Sequence, residues 1–279
     1  LLLLEHAARA NATGGQAPAE GGVERRNHLE SQAVAQVGVG RIGGIVAPGH
    51  AASGEDLAQR GTGMGQERPR ADEAAVREEL ERQCGRLGMR VELGEGGLPK
   101  CVLTHKNGSS AEVYLFGANV TSWCLPSGDD VLYVRPDAVF DKSKPISGGI
   151  PLCFPRFGPS DEMQQHGFAR NEQWQLVDPP ANGDEDGGNV TMRLVSSDAT
   201  KALWPHDFVA TFETRLDGDE MHTSLTVRNT GREPFEFTVA LHTYFTVGDI
   251  GKATVEGLRG ASYLDSLDGR SAKVDENEA

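Results

Sequence analysis

From about residue 89 the chain is a succession of β-patterned runs separated by turn residues, with few stretches of helical period between them. Residues 101–105 and 111–116 flank Asn107-Gly108, a dipeptide that supplies the positive φ angles of a tight hairpin. Residues 118–125 and 131–134 follow, separated by Pro126-Ser-Gly-Asp-Asp130. Residues 190–195 form another run. Residues 208–216 and 221–229 are two long ones joined by Asp217-Gly-Asp-Glu220, and residues 235–246 and 253–258 complete the series. Antiparallel strands at this spacing predict an all-β chain folded as a β-sandwich. Nothing resembles a repeating βαβ series.

The first 70 residues obey a different rule. They hold seven acids and seven arginines, no lysine and no aromatic residue, and 25 of the 70 are Gly or Ala. Such a segment buries too little apolar surface to offset its ordering entropy, so residues 1–70 are expected to be a low-complexity, disordered lead. Residues 71–88 read as a short helix, with Asp72 and Glu73 at the positive end of its dipole and Val76 and Leu80 on one face. Residues 89–279 then form the sandwich. Gly38-Val-Gly-Arg-Ile-Gly43 matches a dinucleotide-binding fingerprint, but Pro48-Gly49 halts the helix that fingerprint requires, so a nucleotide-binding oxidoreductase is disfavoured. The chain begins at Leu1 and its first methionine is Met64, which fits a fragment, a processed chain or a reading frame extended upstream. The lead has the arginines of an organellar address without the serines, so cytoplasm and plastid both stay open.

Because the lead is neutral, the net charge of −14 belongs wholly to residues 71–279. An acidic body argues against nucleic-acid binding, which needs a basic surface to displace counterions. No apolar run reaches the roughly 18 residues of a membrane span. The four cysteines, at 84, 101, 124 and 153, show neither zinc-ribbon spacing nor a disulfide framework, and buried reduced thiols are expected. No metal or cofactor is expected, and the protein is read as a monomer. Trp123, Trp174 and Trp204 are read as core residues, with sugar stacking as the alternative. The Asn-x-Thr/Ser sequons at Asn11, Asn107, Asn119 and Asn189 are read as coincidence.

Three stretches could carry chemistry. In Lys144-Pro-Ile-Ser147-Gly148-Gly149-Ile-Pro-Leu-Cys153-Phe-Pro-Arg156-Phe-Gly158, the paired glycines either admit a ligand close to the backbone or make a rigid turn. Lys144 and Arg156 could meet an anion there. In Gln165-His166-Gly-Phe-Ala-Arg170-Asn171, an imidazole and a guanidinium bracket a glycine, as in a polar loop serving a site or in a plain surface loop. In Leu241-His242-Thr-Tyr-Phe-Thr-Val-Gly-Asp249, His242 lies in an apolar run, either as a satisfied core histidine or as an acid or base tuned near neutral pH.

Taken together and in this order, GGIPLCFPRFG, QHGFARN and LHTYFTVGDI resemble the hexose-6-phosphate mutarotases, also called glucose-6-phosphate 1-epimerases, of the aldose 1-epimerase superfamily, most closely a plant and algal branch. The resemblance covers roughly residues 89–268. It implies a large galactose-mutarotase-like β-sandwich (a supersandwich) that interconverts the α and β anomers of a sugar phosphate without a cofactor. One His protonates the ring oxygen while a Glu takes the anomeric hydroxyl proton. His242 matches the acid, His166 matches a residue that contacts sugar hydroxyls, and Arg170 belongs to the same loop. Ser147 stands where the family usually has an arginine before Gly148, and Arg156 stands where a glutamine is common. Arg135, in Val134-Arg-Pro-Asp137, is a candidate to return that positive charge.

The family's catalytic Glu lies further downstream, and the tail Val274-Asp-Glu-Asn-Glu-Ala279 does not match its motif. The sequence is therefore expected to hold the N-terminal two-thirds of the sandwich, incomplete at the C-terminus, and to have little mutarotase activity alone. A non-catalytic carbohydrate-binding or regulatory protein on the same fold is the alternative.

Overall fold

The computed structural model describes residues 4–6, 32–35, 88–177, 187–254, 259–265 and 267–276. The helix expected over residues 71–88 lies outside these, apart from Gly88, which is a turn. The strands are β1 (Leu4–His6), β2 (Gln32–Ala35), β3 (Met89–Leu93), β4 (Pro99–Thr104), β5 (Ser110–Tyr114), β6 (Asn119–Cys124), β7 (Leu152–Cys153), β8 (Gln175–Val177), β9 (Asn189–Val195), β10 (Phe208–Asp217), β11 (Glu220–Asn229), β12 (Val239–Leu241), β13 (Ser262–Asp265) and β14 (Ser271–Val274). Among the described residues one short α-helix, α1 (Asp198–Leu203), interrupts them. Its Ser197 hydroxyl accepts from the Thr200 N–H while the Thr200 hydroxyl accepts from the Ser197 N–H, a reciprocal cap.

The strands form a five-stranded sheet ordered β2-β11-β10-β9-β8, a four-stranded sheet β3-β4-β5-β6, a three-stranded sheet β1-β12-β7 and the hairpin β13-β14. All named pairings are antiparallel. The hairpin β10-β11 is the clearest case of sequence dictating register. Phe208, Ala210, Phe212, Thr214 and Leu216 are buried on one strand, Met221, Thr223, Leu225 and Val227 on the other, and the residues between them face outward. Gly218 turns the chain with φ of 63°. The Asn107-Gly108 hairpin joins β4 to β5, with Gly108 at φ of 98°. Its tip reaches the other one: the Asn107 amide donates to Asp219 Oδ1 at 2.8 Å and the Ser109 hydroxyl to the Gly218 carbonyl at 2.6 Å.

Buried side chains of β4, β5, β6, β9, β10 and β11 share one apolar core, as a sandwich requires. Trp123, Trp174 and Trp204 all belong to it, and Trp174 Nε1 donates to the Ala169 carbonyl at 2.9 Å. Two expected strands are shorter in ladder form than their patterns predict. Residues 131–134 pair only through the single bridges Leu132 to Phe245 and Val134 to Gly148, and of residues 235–246 only β12 forms a ladder. Val131, Leu132, Phe235, Phe237 and residues 239–243 are buried, and glycine and proline in the facing segment break the regular ladder. Within the lead, β1 pairs with β12 and β2 with β11; an open sheet edge offers unpaired N–H and C=O groups to any extended segment. The Gly38–Gly43 motif lies outside the described residues.

The contacts divide the chain into two compact units, Leu1–Ile45 with Ser53–Thr246, and Val46–Ala52 with Val247–Ala279. In the second unit Asp249 caps a single turn by accepting from the Gly251 N–H, and Lys273 pairs with Asp265 and Asp268 at 2.7 and 3.0 Å on the β13-β14 hairpin. No helix among the described residues is long and apolar enough to cross a membrane.

Candidate active site

Three extended segments of the first unit lie side by side and build the floor of the site. The Arg135 N–H donates to the Ser147 carbonyl, Gly149 to Tyr133, Tyr133 to Tyr244, Tyr244 to Gly149 and His242 to Pro151, all between 2.8 and 3.0 Å. The paired glycines permit this closeness. A Cβ on Gly148 would lie 2.4 Å from the Val134 Cα, and one on Gly149 would lie 2.1 Å from the Val120 carbonyl oxygen. Both glycines have positive φ and both are buried against protein backbone.

Asn119 clamps the same segment from β6. Its Oδ1 accepts from the Ile150 N–H at 3.0 Å, and its amide donates to the Gly148 and Ile146 carbonyls at 3.2 and 3.4 Å. Asn119 is 3% exposed, so this sequon is spent inside the fold. Replacing Asn119 with Ala removes the donor to the buried Gly148 and Ile146 carbonyls, while the Ile150 N–H keeps its bond to the Val120 carbonyl at 2.9 Å. A loss of about 1–3 kcal/mol is expected, read as a lower urea midpoint.

The second loop is hung from Phe154. Its carbonyl accepts from the Phe168 and Ala169 N–H groups at 3.0 and 3.1 Å, and a Cβ on Gly167 would meet that same oxygen at 2.2 Å. His166 has φ of 69°, a left-handed conformation that costs a non-glycine residue strain and is sustained here by its surroundings. The His166 N–H donates to the Gly158 carbonyl at 3.0 Å, and the Gly158 N–H donates to His166 Nδ1 at 3.1 Å. Nδ1 is therefore the acceptor, and the neutral ring carries its proton on Nε2. The Phe157 ring stacks on the imidazole with centroids 5.0 Å apart.

His166 and His242 meet edge to face with centroids 5.4 Å apart, and the Tyr244 ring lies 5.1 Å from His242. His242 is 9% exposed, and its Nδ1 is buried with no hydrogen-bond partner. Burial pushes the His242 pKa down, and the Arg170 cation adds to this. Burial likewise lowers His166, together with Arg170 and His242, to about 4. Both rings are thus neutral at pH 7. The Arg170 guanidinium donates through Nη2 to the Gln165 carbonyl at 2.8 Å, while its Nε is buried without a partner. Burial pushes the neighbouring Cys153 thiol up to about 12, against the pull of Arg170, which leaves it a protonated, inert group.

These shifts have a sign in stability. The unfolded His166 titrates near 6.5 and the folded one near 4. Between those values the unfolded chain holds more protons, so stability is full above about pH 6.5 and falls as pH drops toward 4. His242 acts in the same direction. His166→Asn, which tolerates the left-handed backbone, is expected to show a shallower fall in urea midpoint over that range. An unchanged slope would contradict the burial account.

The structure thus brings together His242, His166 and Arg170, and adds Phe157, Cys153, Tyr244 and Asn119. Tyr244 was legible in principle, since in an extended chain it shares a face with His242 two residues before it. Arg135 sits at the edge. It is exposed, held in a two-pronged pair with Asp137 at 2.8 and 2.7 Å, and lies within electrostatic reach of Tyr244. Ser147 is partly buried beside it, its carbonyl taken by the Arg135 N–H. Lys144 is exposed and faces Asp137 and Asp141. Arg156 is exposed on the loop after the cis Phe154–Pro155 bond. No group of three or more His, Cys, Asp or Glu among the described residues could hold a metal ion. Two neutral imidazoles beside a buried cation can hold an oxygen-rich, anionic solute and exchange protons with it.

Residues 99–279 match the aldose 1-epimerase family model. A protein of Cenchrus ciliaris named "Putative glucose-6-phosphate 1-epimerase" is 39% identical over 190 residues, covering 66% of this chain and 57% of its own. A protein of the same name from Escherichia coli is 37% identical over 166 residues, covering 59% and 54%. The crystal structure of a Salmonella typhimurium protein called a "putative mutarotase" superposes with a TM-score of 0.58 at 32% identity, over 67% of this chain and 60% of that one. The chain spans little more than half the length of the curated relatives it matches. With its mutarotase-like β-sandwich and a family match over residues 99–279, the chain belongs to the aldose 1-epimerase family.

Proposed function

We propose that the protein carrying this chain interconverts the α and β anomers of a hexose 6-phosphate. The observation that carries the reading is the edge-to-face pair of neutral histidines, His166 and His242, set beside the half-buried cation of Arg170. Relatives named glucose-6-phosphate 1-epimerase support the same chemistry.

The reaction needs a proton delivered to the ring oxygen while another is taken from the anomeric hydroxyl. His242 is assigned the first role. The C1–O5 bond breaks as O5 receives the proton and the O1 hydroxyl gives up its own to a carboxylate base, by the family resemblance a Glu. The open-chain aldehyde turns about C1–C2, and the reverse transfers close the ring on the other face. A depressed pKa makes the His242 proton easy to give up once the ring is charged, and a bound phosphate dianion raises the charged fraction. His166 offers Nε2–H to sugar hydroxyls. Arg170 supplies fixed positive charge where an acidic body would otherwise repel the substrate.

Polarimetry of the full-length protein that carries this chain, on freshly dissolved α-glucose 6-phosphate, tests the reading. Acceleration above the spontaneous rate that is lost in His242→Ala supports it. Binding without any acceleration would overturn it in favour of a non-catalytic carbohydrate-binding protein.

A further inference from the structure

The rim next to Tyr244 carries its own counter-ion. Arg135 presents Nε and Nη2 to the two carboxylate oxygens of Asp137 at 2.8 and 2.7 Å, and both side chains are more than half exposed, at 52% and 68%. The Arg135 backbone is fixed by its hydrogen bond to Ser147 and by the Val134 to Gly148 bridge, one step from the floor that holds His242. Its guanidinium is within electrostatic reach of Tyr244, whose ring is 5.1 Å from His242. Lys144 faces Asp137 and Asp141 from the same loop. Arg135 therefore already holds a carboxylate in its fork.

The covalent structure of the substrate makes this placement matter. In a hexose 6-phosphate the phosphorus is three bonds from C5, the carbon that carries the ring oxygen. Whatever protonates that oxygen must have the phosphate for a near neighbour. Arg135 is an exposed cation within electrostatic reach of Tyr244, whose ring neighbours that of His242. Its planar fork fits a phosphate as well as a carboxylate. An exposed ion pair within one loop is worth at most about 1 kcal/mol, so a dianion tethered to a bound sugar can displace Asp137.

We infer that Asp137 is a built-in competitor for the phosphate of the substrate: it occupies the fork of Arg135 until a 6-phosphorylated sugar takes its place, so that the Arg135–Asp137 pair sets the preference for phosphorylated over free hexose. The inference rests on the proposed function for the position of the sugar. Without phosphate the fork stays with Asp137, and a free hexose gains nothing from it. With phosphate the exchange trades one carboxylate for a group of about twice the charge.

The test compares equilibrium affinities for glucose 6-phosphate and glucose by titration calorimetry, beside polarimetry on the same preparations. Asp137→Asn, which removes the competitor, is expected to raise the affinity ratio of glucose 6-phosphate over glucose by about two- to five-fold. Arg135→Gln is expected to lower that ratio about ten-fold, with Arg135→Lys between the two because it keeps the charge without the fork. Exposure of both side chains keeps the variants folded, which a common urea midpoint verifies. Unchanged ratios in Asp137→Asn and Arg135→Gln overturn the inference even if the wild type is fully active. A wild type that binds with these ratios but accelerates nothing overturns the proposed function and leaves the inference standing.

Discussion

In the full-length protein that carries this chain, replacing His242 with Ala is expected to slow anomer interconversion by about 10²–10⁴-fold, the usual worth of a positioned proton donor. The loss should appear in kcat/KM for α-glucose 6-phosphate measured by polarimetry. The side chain that is removed has a buried Nδ1 with no hydrogen-bond partner, so its deletion strands no protein donor or acceptor at that atom. His242→Asn keeps more of the volume beside the His166 and Tyr244 rings and should be as inactive while unfolding closer to the wild-type midpoint. A merely structural histidine would show the opposite order: activity would follow stability, and Asn would rescue both. Retained activity in either variant would remove His242 from the chemistry.

Phe154→Ala is expected to produce the largest loss of stability of any single substitution near the site, about 3–5 kcal/mol. The side chain is fully buried and makes edge contacts with Phe168, Trp204, Phe208 and Phe237, with centroids 6.3, 5.7, 5.5 and 5.4 Å away. Truncation leaves a cavity walled by four rings that cannot all collapse into it. Thermal unfolding should shift down by on the order of 10 °C. The effect should reach the site as well, because the Phe154 carbonyl holds the Phe168 and Ala169 N–H groups and so the loop that carries His166 and Arg170. Leu267→Ala, at a residue 99% exposed, is the matched control and should stay within about 0.5 kcal/mol of wild type. A small effect of Phe154→Ala would mean that the aromatic cluster is less tightly packed than these distances require.

The acidic body gives both experiments a shared background. A charge of −14 repels an anionic sugar at long range, but salt confines this to roughly 8–10 Å. Attraction must therefore come from cations at close quarters. Arg170 is half-buried among the rings, whereas Arg135 and Lys144 are exposed and face carboxylates of their own loop. Charge counted along the sequence singles out these residues without revealing which are already paired.

How much was legible varies by element, and for stated reasons. The β10-β11 hairpin was readable almost to the residue, because alternation of apolar and polar side chains and an Asp-Gly turn are local properties. The hairpin at Asn107-Gly108 was readable for the same reason. The two-residue β7 and the single bridges of Leu132 and Val134 were not, since a strand that short exists only where another segment happens to lie. Asn119 was hidden because its partners are backbone groups of a segment remote in sequence, and a sequence carries no mark of which carbonyls a side chain will face. The paired glycines were read as access for a ligand or as a rigid turn, and their packing against Val134 and Val120 gives them the second role in the fold.

By itself the sequence determined the class of fold, through period-two burial and turn chemistry, and the family, through three motifs that also single out two histidines as candidates. Tertiary structure alone decided that His166 and His242 share an edge, that their burial beside Arg170 makes both neutral, and that Arg135 faces Asp137 at the rim next to Tyr244. The reason is physical. Strand and turn preferences act between neighbours in the chain, whereas a proton affinity is set by whatever charge and solvent surround a group in space, and only the folded sheets bring those surroundings together.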